Sequence, residues 1–314
     1  MSETLIKRLV VNNTKNSVCV RPINIPVISV IIVDYKNPVY TKHCINSVLK
    51  TGYKDIEIIL IDNSDDNIGL AAAQNKGAKR AKGKYLFFLN NDTLVKPDIF
   101  ERLLESKLDV TGCRMFNYDG TRELDSALSV DRFGCPAGKT GPMFYPDGAI
   151  FIKRSIFEEI GGFDEKLFLY GEDRDLCWRV LLAGYSVGYN PDAVFFHNSS
   201  CVSGTNFFRR KTSEKCILRS ILKNYSLKNL PWILIQYSFW SILEIGYILY
   251  TKPQAIWYCY LSAYWWNIKN LKDTIKARKK VMHRVQDKDL PFSKVIGKLW
   301  VLKTQGIPQW TRKG

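Results

Sequence analysis

None of the eight cysteines, at positions 19, 44, 113, 135, 177, 201, 216 and 259, belongs to a CxxC pair. A zinc site of ordinary spacing is therefore excluded. In a chain of 314 residues, thiols scattered in this way are expected to be small buried side chains in a reducing compartment, not a disulfide framework. No GxGxxG follows the first apolar run and no GxxxxGK[ST] occurs, which argues against a dinucleotide-binding turn and a P-loop. The first twenty residues contain no apolar core of a leader peptide, so a cytoplasmic location is expected.

Acids are scarce in one region only. Residues 1–205 hold 25 Lys and Arg against 25 Asp and Glu, whereas residues 206–314 hold 21 against 5 and so carry the whole net charge of +16. Seven of the eight tryptophans, all but Trp178, lie in the same last third. Hydrophobic residues make up 46% of the chain, enough for a sizeable core. These contrasts predict an extension over 1–25, a neutral domain over 26–205 and a basic, aromatic region over 206–314.

The neutral domain opens with Val27-Ile28-Ser29-Val30-Ile31-Ile32-Val33, a largely β-branched run ending at Asp34, as a fully buried strand would. Helical spacing follows over 39–50. Ile56–Ile61 is a second buried strand ending at Asp62, residues 69–82 form an Ala-rich helix, and Tyr85–Leu89 is a third strand ending at Asn90-Asn91-Asp92. Strand, helix, strand, helix, strand is the order of an α/β fold with parallel strands and right-handed crossovers. Ligands in such sheets bind beyond the carboxyl ends of the strands, where Asp34, Asp62 and Asp92 all fall. Each acid alone fits an ordinary cap or Asx turn; three on one sheet edge make a polar pocket for a nucleotide, with a carboxylate for a metal.

Farther on, Ser155-Ile156-Phe157-Glu158 has the pattern of a capping box, and Gly161-Gly162 ends that helix. Glu172, Asp173 and Asp175 open a helix over 172–183. They either favour its positive end or supply a general base. His197 ends the apolar run Ala193-Val194-Phe195-Phe196 and gains interest only if Asp92 lies near it.

VISVIIVDYKN, LIDNSDDNIGLAAAQNKGA, FLNNDT, the stretch from Asp147-Gly148-Ala149 through IFIKRSIFEEIGGFDEKLFLYGEDRDLCWR, and FFHNSS occur in this order. In them the chain resembles the family 2 glycosyltransferases of the GT-A fold, and the rhamnosyltransferase-like subgroup in particular. The resemblance implies that Asp62 binds the nucleobase, with Asp34, Asn67, Gly69, Asn75 and Asn91 completing the nucleotide site. Asn90-Asn91-Asp92 stands where the family carries its DxD motif, with Asp92 ligating Mn²⁺ or Mg²⁺ and His197 able to complete the metal site. Asn90 replaces the first acid of that motif, leaving one fewer negative charge. Asp173 matches the catalytic base, and Asp147, Gly148 and Glu172 fall in the donor or acceptor pocket. The implied partners are a dTDP-, UDP- or GDP-linked sugar and a glycan or polyprenyl-linked acceptor. The implied reaction is inverting transfer of rhamnose or another hexose in polysaccharide biosynthesis. A sugar-nucleotide pyrophosphorylase would need a Gly- and Arg-rich loop after the first strand, where VDYKNPVY stands. An inactive scaffold would not need Asp62, Asp92, Asp173 and His197 together.

In the basic region, Leu230 to Tyr250 contains no cation but is interrupted by Gln236, Ser238, Ser241 and Glu244. An acid near mid-span costs about 2.5–3.5 kcal/mol on insertion scales. Arg209, Arg210, Lys211, Lys215, Arg219, Lys223 and Lys228 precede this run, and Lys269, Lys272, Lys276, Arg278, Lys279 and Lys280 follow the next one. In-plane helices on an anionic cytoplasmic surface are expected; a crossing hairpin and a soluble helical cap stay open. Because the aromatics lie inside apolar runs and do not alternate with cations, nucleic acid is not the expected partner.

Overall fold

The computed structural model describes residues 12–14, 17–20, 27–125, 127–137, 143–198, 206–251, 256–285 and 289–290. The elements run β1 (Asn12–Thr14), β2 (Ser17–Val20), β3 (Ile28–Asp34), α1 (Pro38–Lys50), β4 (Ile56–Asp62), α2 (Leu70–Ala78), β5 (Tyr85–Asn90), β6 (Thr93–Val95), α3 (Ile99–Glu105), β7 (Val110–Asn117) and β8 (Glu123–Leu124). Then come β9 (Ala127–Ser129), β10 (Phe144–Pro146), β11 (Ala149–Lys153), α4 (Arg154–Ile160), a 3₁₀ turn (Glu165–Leu167), α5 (Glu172–Leu182) and β12 (Val187–His197). Four helices follow: α6 (Asn206–Asn224), α7 (Leu230–Thr251), α8 (Ser262–Lys269), which is entered through a π-helical turn (Ile256–Leu261), and α9 (Leu271–Val285). They belong to two compact units whose chain segments interleave. The first takes residues up to Ala127, Pro146–Phe168 and Ser186–Val202; the second takes Leu128–Tyr145, Leu169–Tyr185 and the chain from Ser203.

The first unit is built on one mixed sheet in the order β1-β2-β4-β3-β5-β11-β7-β12-β6, with β8 paired to β7. All seven residues of β3 are buried, which is why its sequence is a continuous apolar run and does not alternate. It pairs in parallel with β4 and β5, as the crossover helices α1 and α2 require. β11 then joins β5 and β7 antiparallel. β12 runs parallel to β7 and antiparallel to β6. Ile28, Val30, Ile32, Phe87, Leu89, Phe151 and Phe195 of these strands, with Phe100 of α3, belong to one buried cluster.

Within the N-terminal stretch, β1 pairs antiparallel with β2, and β2 pairs antiparallel with β4. Two local expectations change. Helix α2 ends at Ala78 and does not run to residue 82. Helix α4 begins at Arg154 with Lys153 as its cap residue and no side-chain cap; Ser155 therefore lies inside the helix, and the capping box does not form. Its end is as expected, at Gly161 in the left-handed conformation.

In the second unit α6 packs against α5, α7, α8, α9 and the π-helical turn. It buries charge as well as apolar surface: Glu214, Arg219 and Lys223 are each at most 2% exposed. Among the described residues no helix is long and apolar enough to cross a membrane. Cys44, Cys113, Cys135, Cys177, Cys216 and Cys259 are free and buried, as small core side chains should be.

Candidate functional site

The carboxyl edge of the first unit's sheet follows from strand register. Asp34 and Asp62 are opposite one another at the ends of β3 and β4, and Val33 is opposite Asn90 at the end of β5. Asp62 is exposed, and among the described residues it accepts a local turn bond from the Ser64 amide at 2.9 Å, so its carboxylate faces solvent. Asp34 is buried. Its Oδ1 accepts from the Asn37 amide (3.2 Å), Thr41 Oγ1 (2.7 Å) and Asn91 Nδ2 (3.0 Å). Asn91 also donates to Thr41 Oγ1 at 2.9 Å. Asp34, Thr41 and Asn91 thus join the start of α1 to the NND turn and fix the backbone there. Thr41, one turn into α1, was not singled out from sequence, since a helical threonine carries no signal without its partner.

The loop after β4 is fixed in the same manner. Asn63 Oδ1 accepts from the Ile68 amide, Asn63 Nδ2 donates to Asn67 Oδ1, and that oxygen also accepts from the Gly69 amide, each at 3.1 Å. Gly69 has φ +89°, and a Cβ there would lie 2.5 Å from the Phe168 ring, so this position needs glycine twice over. Asn75 has a different task. Its Oδ1 accepts from the Phe163 amide (2.9 Å), and its Nδ2 donates to the Phe163 carbonyl (2.9 Å) and Glu165 Oε1 (3.0 Å). With its oxygen and its amide group both engaged by protein, Asn75 holds the loop before the 3₁₀ turn.

His197 and Asp92 meet because β12 ends beside β6: His197 is opposite Thr93, and the Asn198 amide donates to the Asp92 carbonyl at 2.9 Å. Asp92 Oδ1 and His197 Nε2 are 3.2 Å apart, with side chains 13% and 16% exposed. Burial disfavours the imidazolium, but the hydrogen bond and charge of Asp92, with the charge of Asp147, outweigh it and hold the His197 pKa above its ordinary value. The Asp147-Gly148 turn abuts this pair, since the Asn90 amide donates to the Gly148 carbonyl at 3.0 Å.

In the second unit the three acids of α5 separate by environment. Asp175 is fully buried, with Arg179 Nε and Lys223 Nζ each at 2.8 Å, Asn224 Nδ2 at 3.1 Å and Ser220 Oγ at 3.2 Å. Glu172 is buried and accepts from the Gly171 amide at 3.0 Å. Asp173 is partly exposed, its Oδ1 taking the Arg174 amide at 2.7 Å. Of the three, Asp173 alone is not buried. Arg174, not singled out from sequence, anchors this turn by donating to the Gly134 and Tyr170 carbonyls at 2.8 and 3.0 Å. Gly171 has φ +148°, and a Cβ there would lie 2.9 Å from Arg174 Nη2 and from Cys216 Cβ.

Residues 17–111, which run from β2 into β7, match the family model described as "Glycosyltransferase like family 2". The matched segment is glycosyltransferase family 2-like. Over 125 residues the chain is 31% identical to the glycosyltransferase EpsJ of Bacillus subtilis, covering 31% of this chain and 36% of that one. Over 159 residues it is 30% identical to the pre-mycofactocin glycosyltransferase of Mycobacterium tuberculosis, covering 46% and 32%. The chain thus spans about a third of the length of these curated relatives. The structure of S. aureus TarS in complex with UDP-GlcNAc superposes with a TM-score of 0.51 at 16% identity, covering 82% of this chain and 83% of that one. That likeness is one of fold, and the family 2-like segment accordingly sits in a GT-A mixed α/β sheet.

Proposed function

We propose that the chain is an inverting glycosyltransferase that moves a hexose, rhamnose included, from a nucleoside-diphosphate donor to a glycan or lipid-linked glycan. The observation that carries this is the sheet edge itself: an exposed Asp62 at the end of β4, and an Asp92–His197 pair whose Asp92 lies on the turn after β5 that Asp34, Thr41 and Asn91 fix. The TarS complex with UDP-GlcNAc supports a nucleotide-linked donor.

Asp92 and His197 fit a divalent cation. Two donor atoms in adjacent octahedral positions at ~2.1 Å from Mg²⁺ stand about 3 Å apart, close to the 3.2 Å between these side chains. Among the described residues no third His, Cys, Asp or Glu joins them, so two protein ligands leave open positions for the donor's phosphates and water. Bound there, Mn²⁺ or Mg²⁺ would act as a Lewis acid toward the charge that grows on the departing diphosphate. His197 would ligate as the neutral imidazole and give up its ion pair with Asp92. Asp62 receives a nucleobase hydrogen bond. Asp173 accepts the proton of the acceptor hydroxyl, and one displacement with one base inverts the anomeric centre.

A thermal-shift panel of dTDP-, UDP- and GDP-sugars with and without Mn²⁺ tests this, since a ligand that binds only the folded state raises its melting temperature. At least one donor should stabilise the wild type only with metal, and Asp92→Ala should abolish the shift. A wild type that no nucleotide sugar stabilises, or one that transfers sugar in excess chelator, would overturn the corresponding part.

A further inference from the structure

Helix α7 turns large apolar side chains toward solvent. Trp232, Ile235, Phe239, Ile242 and Leu243 are 50% to 66% exposed. At ~100° per residue these five fall within an arc of roughly 100°, and Ile233, Tyr237 and Ser241, which are buried, lie on the opposite side. Packed against α7 through the Tyr237–Tyr264 ring contact, the π-helical turn with α8 and α9 carries a second stripe. Its members Leu261, Trp265, Ile268, Leu271 and Ile275 are 42% to 62% exposed.

The charge around these stripes has one sign. Residues 262–285 contain seven Lys and Arg and one acid, Asp273, which is engaged by Arg219 at 2.8 Å. Lys269, Lys272, Lys276, Lys279 and Lys280 are exposed, and Lys269 Nζ lies 5.3 Å from the Trp265 ring. Glu244, the acid in the apolar run, is bound by Arg210, so it opposes neither the lysines nor burial of the stripe. The cations that precede α7 contribute less than their number suggests, because Arg210, Arg219 and Lys223 pair inside the unit.

We propose that this face docks in the plane of an anionic lipid leaflet. The α7 stripe enters the boundary between headgroups and acyl chains, and the lysines of α8 and α9 meet lipid phosphates. Tryptophan beside lysine on an amphipathic surface matches that boundary, whereas the buried cores of protein interfaces are depleted in lysine. Crossing is not the mode, since among the described residues no helix is long and apolar enough.

The test is flotation of the full chain with phosphatidylglycerol–phosphatidylcholine vesicles. It needs neither donor nor acceptor, so its outcome is separate from that of the transferase assay. The wild type should float at low salt and stay largely bound at about 1 M salt, where attraction alone is screened. The double variant Ile235→Glu, Phe239→Glu should reduce the floated fraction at least about ten-fold without lowering the melting temperature. Reversing Lys272, Lys276, Lys279 and Lys280 to Glu should reduce floating at low salt. Failure of the wild type to float, or equal floating by the apolar-to-Glu variant, would overturn the proposal. So would a vesicle-free dimer that the same variant converts to monomer, which would make the stripe a protein interface.

Discussion

The two units place most of their ion pairs differently. In the first, Arg102–Asp98 and Arg114–Glu123 join side chains that are 38% to 51% exposed, over a largely apolar strand core, and the pair Asp92–His197 lies at the sheet edge. In the second, Asp175–Arg179 and Asp175–Lys223 join side chains at most 6% exposed, while Trp232 and Ile242 are more than half exposed. A sheet covered by crossover helices needs apolar strands and can leave its acids at the edge for chemistry. A helical unit that turns an apolar stripe outward can set charge inside, provided each buried group has partners.

Lys223→Met attacks this contrast most strongly. Asp175 would keep Arg179, Ser220 and Asn224 but lose one of its two cations, and breaking a buried pair typically costs ~3–5 kcal/mol. Chemical denaturation should register a loss toward the lower end of that range; an unchanged midpoint would mean the pair adds nothing to the unit. Next in size is Asp173→Asn, which spares the buried network while removing the partly exposed carboxylate of α5. Turnover should fall about 100-fold, or about 2.7 kcal/mol, with donor binding near normal. If Glu172→Gln is the inactive variant instead, the base is the neighbour. The smallest effect belongs to Arg102→Ala in the first unit, where an exposed i,i+4 pair is screened and its loss should leave the melting temperature unchanged. A large drop there would erase the contrast between the units.

What was legible in the sequence follows the same division. β3, β4 and β5, with the acids that end them, could be read directly because a strand buried on both faces must be a continuous apolar run. β1 and β2 could not, since three and four residues are too few to set a period. The Asp92–His197 meeting depends on β12 returning beside β6, a pairing across a hundred residues for which local pattern carries no signal. Arg219 and Lys223 read as cations facing an anionic surface because a charge run looks the same whether its partners are lipid phosphates or Asp273 and Asp175. The interleaving of Leu128–Tyr145 and Leu169–Tyr185 with the C-terminal helices is likewise a matter of distant contacts.

The buried thiols give the molecule a set of internal clocks. Burial pushes Cys44 up to about 12 and Cys259 up to about 11, and raises Cys113 and Cys177 as well. Only the thiolate attacks an alkylating reagent, so these side chains are silent while their surroundings stay closed. Cys44 and Cys113 belong to the first unit, and Cys177, Cys216 and Cys259 to the second. The order in which they become labelled under mild denaturant therefore reads out which unit opens first, with no change to the chain.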